Sequence, residues 1–156
     1  MSVKLPPFQT LLDQHRVDVY RYLVAVAGAG EADDAFQETW IAALRAYPRL
    51  KRADNLRAWL FRIAQNKAID AHRSRGRRPL PLQTIPEAGT PLAPEGRSEL
   101  WAQVRALPPK QRTAVFCRSV LGMPYRELAL LLESSEEAAR RNVHEGLKRL
   151  KEELDR

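Results

Sequence analysis

The sequence has little of what covalent or metal-based chemistry needs. It contains a single cysteine, Cys117, so neither an intrachain disulfide nor a cysteine-based zinc cluster can form. Its three histidines, His15, His72 and His144, lack the spacing of metal ligands. These absences predict no metal, no cofactor and a reducing, cytoplasmic setting.

Two further absences concern enzyme motifs and membrane segments. The chain has no glycine-rich phosphate loop and no Ser-His-Asp or Cys-His constellation, so an enzyme is the least favoured hypothesis, although distant residues can converge in space. Its apolar runs fall far short of the ~20 residues that a membrane span needs. The N-terminus shows no basic stretch followed by an apolar run. We therefore expect a non-enzymatic protein without membrane insertion.

Positive charge is abundant. The chain of 156 residues carries 26 Lys and Arg against 19 Asp and Glu, a formal net charge of +7, and 44% of its residues are hydrophobic, enough for a core. An excess of cations favours a polyanionic partner such as nucleic acid. Basic ribosomal and membrane-surface proteins share this feature, so charge alone does not decide the function.

Apolar residues recur at helical spacing through the first 75 residues and predict three helices. The first ends near Gly28, the second runs from about Asp33 to Tyr47, and the third runs from an N-cap at Asn55 to about Arg75. Asp70 is expected on the buried side, paired with an arginine. The second helix is expected to bury Phe36, Trp40, Ala43, Leu44 and Tyr47.

Residues 76–98 differ in composition, with five prolines among glycine and small residues between 79 and 94. Such a stretch holds neither a helix nor a central strand, which predicts a flexible Pro-rich linker. The chain then divides into residues 1–75 (lobe one), the linker 76–98, and residues 99–156 (lobe two). No strand-like alternation is evident, so the predicted fold is all-α with two small helical domains.

Lobe two shows the pattern of a helix-turn-helix. Helices are predicted around Trp101, from Pro108-Pro109 to about Leu121, from Pro124, and from near Ser135 to the end. Helical hairpins with charged outer faces are common, so periodicity alone does not establish DNA binding. Spacing at 100° places one face of the last helix against the preceding helices, namely Ala139, Val143, Gly146, Leu147, Leu150 and Leu154.

A basic surface is predicted along the third helix. Arg62, Asn66, Ile69 and Arg73 align on one side, and a basic loop with Arg49, Lys51 and Arg52 precedes the helix. Donors mixed with nearby aromatic residues suit single-stranded or melted nucleic acid, whose bases are free to stack. A solvated helix face is the alternative interpretation.

Four short motifs follow one another along the chain: residues 33–40 (DDAFQETW), 58–70 (AWLFRIAQNKAID), 107–112 (LPPKQR) and 125–129 (YRELA). Together they resemble motifs of the extracytoplasmic-function (ECF) subfamily of sigma-70 RNA polymerase sigma factors. The first two are similar to two signatures of sigma region 2, and the last two are similar to the opening of region 4. With the linker between them, the resemblance spans about residues 8–154.

The resemblance implies a region 2-like bundle of three to four helices and a region 4-like helix-turn-helix. It also implies a sigma factor that directs core polymerase to promoters, helps to open the −10 region and binds an anti-sigma factor. Contacts with the polymerase core, meaning the β′ clamp helices and the β subunit, would involve Asp34, Gln37, Glu38 and Ile41 on the β′ side. The −10 element would contact Arg49, Lys51, Arg52, Asn55, Arg62, Asn66 and Arg73, whereas Trp59 would be structural. The −35 element would contact Arg140, Arg141, His144 and Lys148.

The last motif departs from the family pattern. Residues 133–135 (ESS) stand for the usual Gly-Ile-Ser, Ala138-Ala139 for Thr-Val, and residues 145–147 (EGL) for Arg-Ala-Arg. Carboxylates on a DNA-facing side repel phosphate. These departures keep open an alternative, a sigma-like interaction protein that titrates an anti-sigma factor or polymerase without recognising DNA. A dimeric helix-turn-helix repressor would leave the lobe-one motifs unexplained.

Overall fold

A computed structural model of the chain describes residues 4–75 and 98–156, and all regular structure within these ranges is helical. The predicted linker therefore lies outside the described residues, except for its last residue, which begins a helix. Lobe one contains α1 (Phe8–Ala27), α2 (Ala29–Ala46), a 3-10 turn (Tyr47–Arg49) and α3 (Leu56–Arg75). Lobe two contains α4 (Ser98–Ala106), α5 (Pro109–Ser119), α6 (Tyr125–Leu132) and α7 (Glu136–Leu154).

The turn between α1 and α2 is shorter than the sequence predicted. Only Gly28 separates the two helices, at φ 91°, a conformation that glycine adopts without a steric penalty. Its carbonyl accepts the N–H groups of Glu31 and Ala32, at 3.2 and 3.1 Å, so the chain resumes a helix at once. The prediction that α2 begins near Asp33 was wrong by one turn.

Aromatic residues fill the core of lobe one. Phe8 meets the rings of Trp40 and Tyr47 edge to face, with centroids 5.9 and 5.2 Å apart. Trp59 is half-buried and tilts against Tyr47, which agrees with its predicted structural role. Leu44 was expected in this core but is 56% exposed, because it lies on the outer face of α2.

Lobe two forms the predicted helical array with some changes. Ser135 caps α7 by accepting the N–H of Ala138 at 3.1 Å, as the sequence predicted. On α7 the predicted positions 139, 143, 146 and 150 are buried, whereas Leu147 and Leu154 are 44% and 43% exposed. The prediction was wrong for these two leucines, because the buried stripe is narrower than the periodicity suggested.

Gly146 explains how closely α7 approaches α5. A Cβ atom at this position would lie 2.5 Å from Cγ2 of Val115 and 3.4 Å from the carbonyl oxygen of Gln111. Real Cβ atoms do not approach other atoms so closely, so only glycine permits this packing. The glycine that weakens α7 as an isolated helix therefore lets it seat on α5.

The two lobes pack against each other through one continuous core. Tyr22 of α1 is fully buried and meets Phe61 of α3 and Phe116 of α5, with ring centroids 5.5 and 5.6 Å apart. Its hydroxyl shares a 2.6 Å hydrogen bond with Thr113 of α5. This burial raises the pKa of Tyr22 far above its usual value. In this arrangement α1 and α3 face α4, α5 and α6, and α2 faces away from lobe two.

Candidate protein and nucleic-acid interfaces

One face of α2 carries a mixed acidic and apolar surface. The predicted residues Asp34, Gln37, Glu38 and Ile41 are all exposed, and their spacing places them on one side of the helix. Ile41 is 50% exposed, and Leu44, one turn further on, extends the apolar part. Carboxylates beside exposed isoleucine and leucine suit a basic partner surface with an apolar centre.

Asp70 lies next to this face rather than in the core. It lines a shallow groove between α2 and α3 together with Asp34, Glu38 and Lys67. The side chain is exposed and forms no ion pair within residues 4–75 and 98–156. The prediction that Asp70 is buried and paired with an arginine was wrong, because α3 turns this position toward the open side of the groove.

The loop before α3 exposes the basic residues that the sequence singled out. The side chains of Arg49, Lys51, Arg52 and Asn55 are all exposed. Asn55 adopts φ 61°, and its backbone carbonyl accepts the N–H of Trp59 at 3.1 Å. The Asn55 amide donates to the carboxylate of Asp54 at 3.5 Å. Helix α3 thus begins after Asn55, as predicted.

Along α3 the predicted basic surface is only partly open. Asn66 and Arg73 are exposed, whereas Arg62 is engaged by lobe two. Its guanidinium donates to the carbonyl of Leu130, and its Nε lies 3.4 Å from Oε1 of Glu133. Residues 133–135 had stood out only as a departure from the family pattern, so periodicity gave no sign of this contact.

Glu133 occupies a strained backbone position. It ends α6 at φ 53°, in the left-handed region that glycine prefers at a helix C-terminus. The residue is exposed, and the contact with Arg62 across the lobes is the ion pair that it forms. The side chain that replaces the family glycine therefore reaches the other lobe.

A stronger contact between the lobes joins Arg57 of α3 to Glu127 of α6. Arg57 Nε lies 2.7 Å from Oε1 of Glu127 and Nη2 lies 2.5 Å from Oε2, a bidentate pair whose side chains are only 29% and 12% exposed. The hydrogen bonds that Arg57 donates to Glu127 raise the pKa of Arg57. Sequence reasoning missed this pair, because 70 positions separate its members and no spacing rule links them.

His15 lies within electrostatic range of this ion pair. Its side chain is half-buried on α1. Burial lowers the pKa of His15, and the positive charge of Arg57 lowers it further. Both effects disfavour the charged form of the imidazole.

The outer face of α7 exposes the four residues predicted for the −35 element, Arg140, Arg141, His144 and Lys148. The guanidinium carbon of Arg140 lies 4.7 Å from the ring centroid of Tyr125, and that of Arg118 lies 4.2 Å from the same centroid. Sequence reasoning missed Arg118 and the role of the Tyr125 ring. Tyr125 falls within the fourth motif, but no pattern indicated which cations it contacts.

Metal-binding and membrane-spanning features are absent from the described residues. Within residues 4–75 and 98–156 no group of His, Cys, Asp and Glu side chains is arranged to hold a metal ion. None of the described helices is both long and apolar enough to cross a bilayer. Cys117 is buried, and burial raises the pKa of its thiol far above the usual value.

Two parts of the chain match known protein families. The family model for sigma-70 region 2 matches residues 11–78, and the model for sigma-70 region 4 matches residues 97–150. The ECF RNA polymerase sigma factor SigD of Mycobacterium tuberculosis is 35% identical over 159 residues, covering 92% of this chain and 75% of SigD. The sigma factor CarQ of Myxococcus xanthus is 29% identical, covering 94% and 88% of the two chains.

Solved structures support the fold. RpoE of Bartonella quintana, in complex with the anti-sigma factor NepR, superposes with a TM-score of 0.75 at 21% identity, covering 95% of this chain and 96% of RpoE. CnrH, in complex with the cytosolic domain of CnrY, superposes with a TM-score of 0.72 at 24% identity, covering 95% and 87%. At such identities the likeness concerns the fold alone.

The matched modules, their order and the all-helical fold define a bacterial transcription initiation factor rather than an enzyme. The chain belongs to the ECF RNA polymerase sigma factors of the sigma-70 family.

Proposed function

We propose that the exposed face of α2, with Asp34, Gln37, Glu38 and Ile41, docks on the β′ clamp helices of core polymerase. The observation that carries this proposal is that these four side chains are exposed on a helix facing away from lobe two. The surface thus remains free while the lobes are packed together. Lobe two would supply the contact with the β subunit.

Promoter DNA binds at two places in this proposal. The loop with Arg49, Lys51, Arg52 and Asn55 and the face of α3 with Arg62, Asn66 and Arg73 hold the melted −10 element, where cations meet phosphate and bases stack. Helix α7 contacts the −35 element through Arg140, Arg141, His144 and Lys148. In this proposal the working units are residues 1–75 and 99–156, and residues 76–98 are the linker that joins them.

This arrangement requires a change at Arg62. Its guanidinium is held by Leu130 and Glu133 of lobe two, so it is not free to bind DNA while these contacts persist. We propose that lobe two moves away when the holoenzyme engages a promoter. Docking through α2 is compatible with the packed lobes, whereas −10 binding through Arg62 is not.

An anti-sigma factor is a further proposed partner. Both similar solved structures are of proteins in complex with a binding partner, NepR described as an anti-sigma factor and the cytosolic domain of CnrY. Cytoplasmic localisation follows from the proposed action on RNA polymerase.

Run-off transcription from genomic fragments tests the proposal. Purified core polymerase is assayed with the wild-type protein, with the double variant Asp34→Ala/Gln37→Ala, and with a matched control, Asp13→Ala/Gln14→Ala, on the exposed face of α1. We expect new start sites with the wild type and the control, and their loss with the α2 variant. Start sites that persist with the α2 variant would exclude docking through this face.

The same experiment addresses the alternative function as an interaction protein that does not recognise DNA. The engagement of Arg62 by lobe two is the observation that favours it. That function predicts tight polymerase binding, abolished by Asp34→Ala/Gln37→Ala, with no transcript from any fragment.

A further inference from the structure

Tyr125 gathers two cations from different helices. Arg118 stands near the end of α5 and Arg140 in the second turn of α7, and both guanidinium groups lie over the ring that opens α6, at 4.2 and 4.7 Å from its centroid. These distances are well within the ~6 Å at which an aromatic face attracts a cation. The ring therefore links three helices of lobe two at the side where α7 begins.

The two arginines occupy these places without a carboxylate to hold them. Within residues 4–75 and 98–156 neither forms an ion pair. Glu136 lies one turn before Arg140, at the spacing that suits an ion pair, yet Arg140 contacts the ring instead. Arg118 is fixed further, because it donates to the carbonyl of Met123 at 3.0 Å.

Such an arrangement matters for a long side chain on an exposed helix face. A free arginine samples many rotamers, and its binding to DNA requires that this freedom be lost. An arginine already held against a ring loses less on binding, while its outer N–H groups stay available to an acceptor. Helix α7 carries carboxylates at 137 and 145, the second within a departure from the family pattern, so an ordered cation gains importance there.

We propose that Tyr125 is a positioning residue for DNA recognition, which holds the guanidinium of Arg140 ready for the −35 element. The inference rests on the proposed function of α7. It assigns Tyr125 no contact of its own with the bases. The cation–π contact at a partly exposed site predicts that its loss weakens DNA binding about two- to fivefold.

A double-mutant cycle on the holoenzyme tests the inference. The affinity for a labelled pool of upstream promoter duplexes is measured for the wild type and for Tyr125→Phe, Tyr125→Leu, Arg140→Ala and Tyr125→Leu/Arg140→Ala. We expect Tyr125→Phe to keep wild-type affinity, because it keeps the ring. Tyr125→Leu should lose about two- to fivefold, and should lose nothing further once Arg140 is alanine.

Arg141→Ala is the matched control, because Arg141 is exposed on the same helix and does not contact Tyr125. Its effect should multiply with that of Tyr125→Leu, without coupling. Nuclear magnetic resonance of the free protein supplies a readout independent of DNA: the Nε–H signal of Arg140 should carry a ring-current shift that persists in Tyr125→Phe and vanishes in Tyr125→Leu. Thermal melts check that each variant is folded.

The outcomes separate the inference from the function on which it rests. If Arg140→Ala and Arg141→Ala both leave DNA affinity unchanged, α7 does not bind the upstream element. Both the proposed function of α7 and the positioning role of Tyr125 are then refuted. If both weaken binding but Tyr125→Leu acts equally with and without Arg140, the proposed function stands and the positioning role is refuted. Loss of affinity in Tyr125→Phe would also refute it, because the hydroxyl and not the ring would then be responsible.

Discussion

The ion pair between Arg57 and Glu127 should control how tightly the lobes hold together. We consider Glu127→Gln, which keeps the shape of the side chain and removes its charge. The pair is bidentate, at 2.7 and 2.5 Å, and its members are 29% and 12% exposed. Removing one partner of a buried pair costs about 3–5 kcal/mol, and an exposed pair contributes about 0–1 kcal/mol. This partly exposed pair lies between those limits, at about 2 kcal/mol.

A loss of about 2 kcal/mol corresponds to about a 30-fold change in the equilibrium between closed and open lobes. Energy transfer between dyes on Gln14→Cys and Lys151→Cys measures this equilibrium, since both positions are exposed and lie in different lobes. Cys117 can remain in place, because a buried thiol with a raised pKa labels poorly. We expect Glu127→Gln to lower the transfer efficiency.

Two further variants make the test specific. Glu153→Gln removes the carboxylate of an exposed ion pair with Arg156, at 3.8 Å, and should leave the transfer efficiency unchanged. The exchange Arg57→Glu/Glu127→Arg should restore part of what either single change loses. If Glu127→Gln behaves like Glu153→Gln, the pair does not hold the lobes, and our estimate from its geometry is refuted.

Three other predictions concern stability. Gly146→Ala should lower the free energy of unfolding by about 1 kcal/mol net, and with it the melting temperature, because the new Cβ would lie 2.5 Å from Val115. This loss outweighs the better helix propensity of alanine. An unchanged or higher melting temperature would contradict the close approach of α7 to α5. Glu133→Gly should raise the melting temperature, because glycine removes a backbone strain of about 1 kcal/mol, which exceeds the contribution of the exposed ion pair with Arg62. A lower melting temperature would mean that the ion pair contributes more than the strain costs. The lowered pKa of His15 means that its contribution to stability is present above pH 6.5 and is lost as the pH falls through the folded-state pKa. Between pH 7.5 and pH 5.5 the melting temperature should therefore fall less in His15→Gln than in the wild type. An equal fall in both proteins would show that His15 does not cause the loss of stability in acid.

Local rules predicted most of the elements, because each depends on neighbours within a few residues. The stop after α1, the cap at Ser135 and the exposed positions of α2 all follow from spacing and capping. The same rules failed where one residue changed the geometry. Gly28 turns the chain without a loop, so α2 begins a turn early.

Helical phase also predicted burial too generously. Leu44, Leu147 and Leu154 continue apolar stripes but face solvent, because the neighbouring helices cover less of each surface than the stripe spans. Asp70 failed for a related reason, since phase places a residue on a side of its helix but does not say what covers that side.

The sequence by itself determined the helical class and the family, since these depend on periodicity and on motifs local in the chain, and it supplied the residues that we propose for polymerase and DNA. Only the tertiary structure decided which of the proposed residues are free and which other residues join the lobes or hold a cation. Arg62 is held by Glu133, Arg57 pairs with Glu127, and Tyr125 gathers arginines from two helices. Each of these contacts joins positions brought together by folding, and no local pattern encodes which side chain lies opposite.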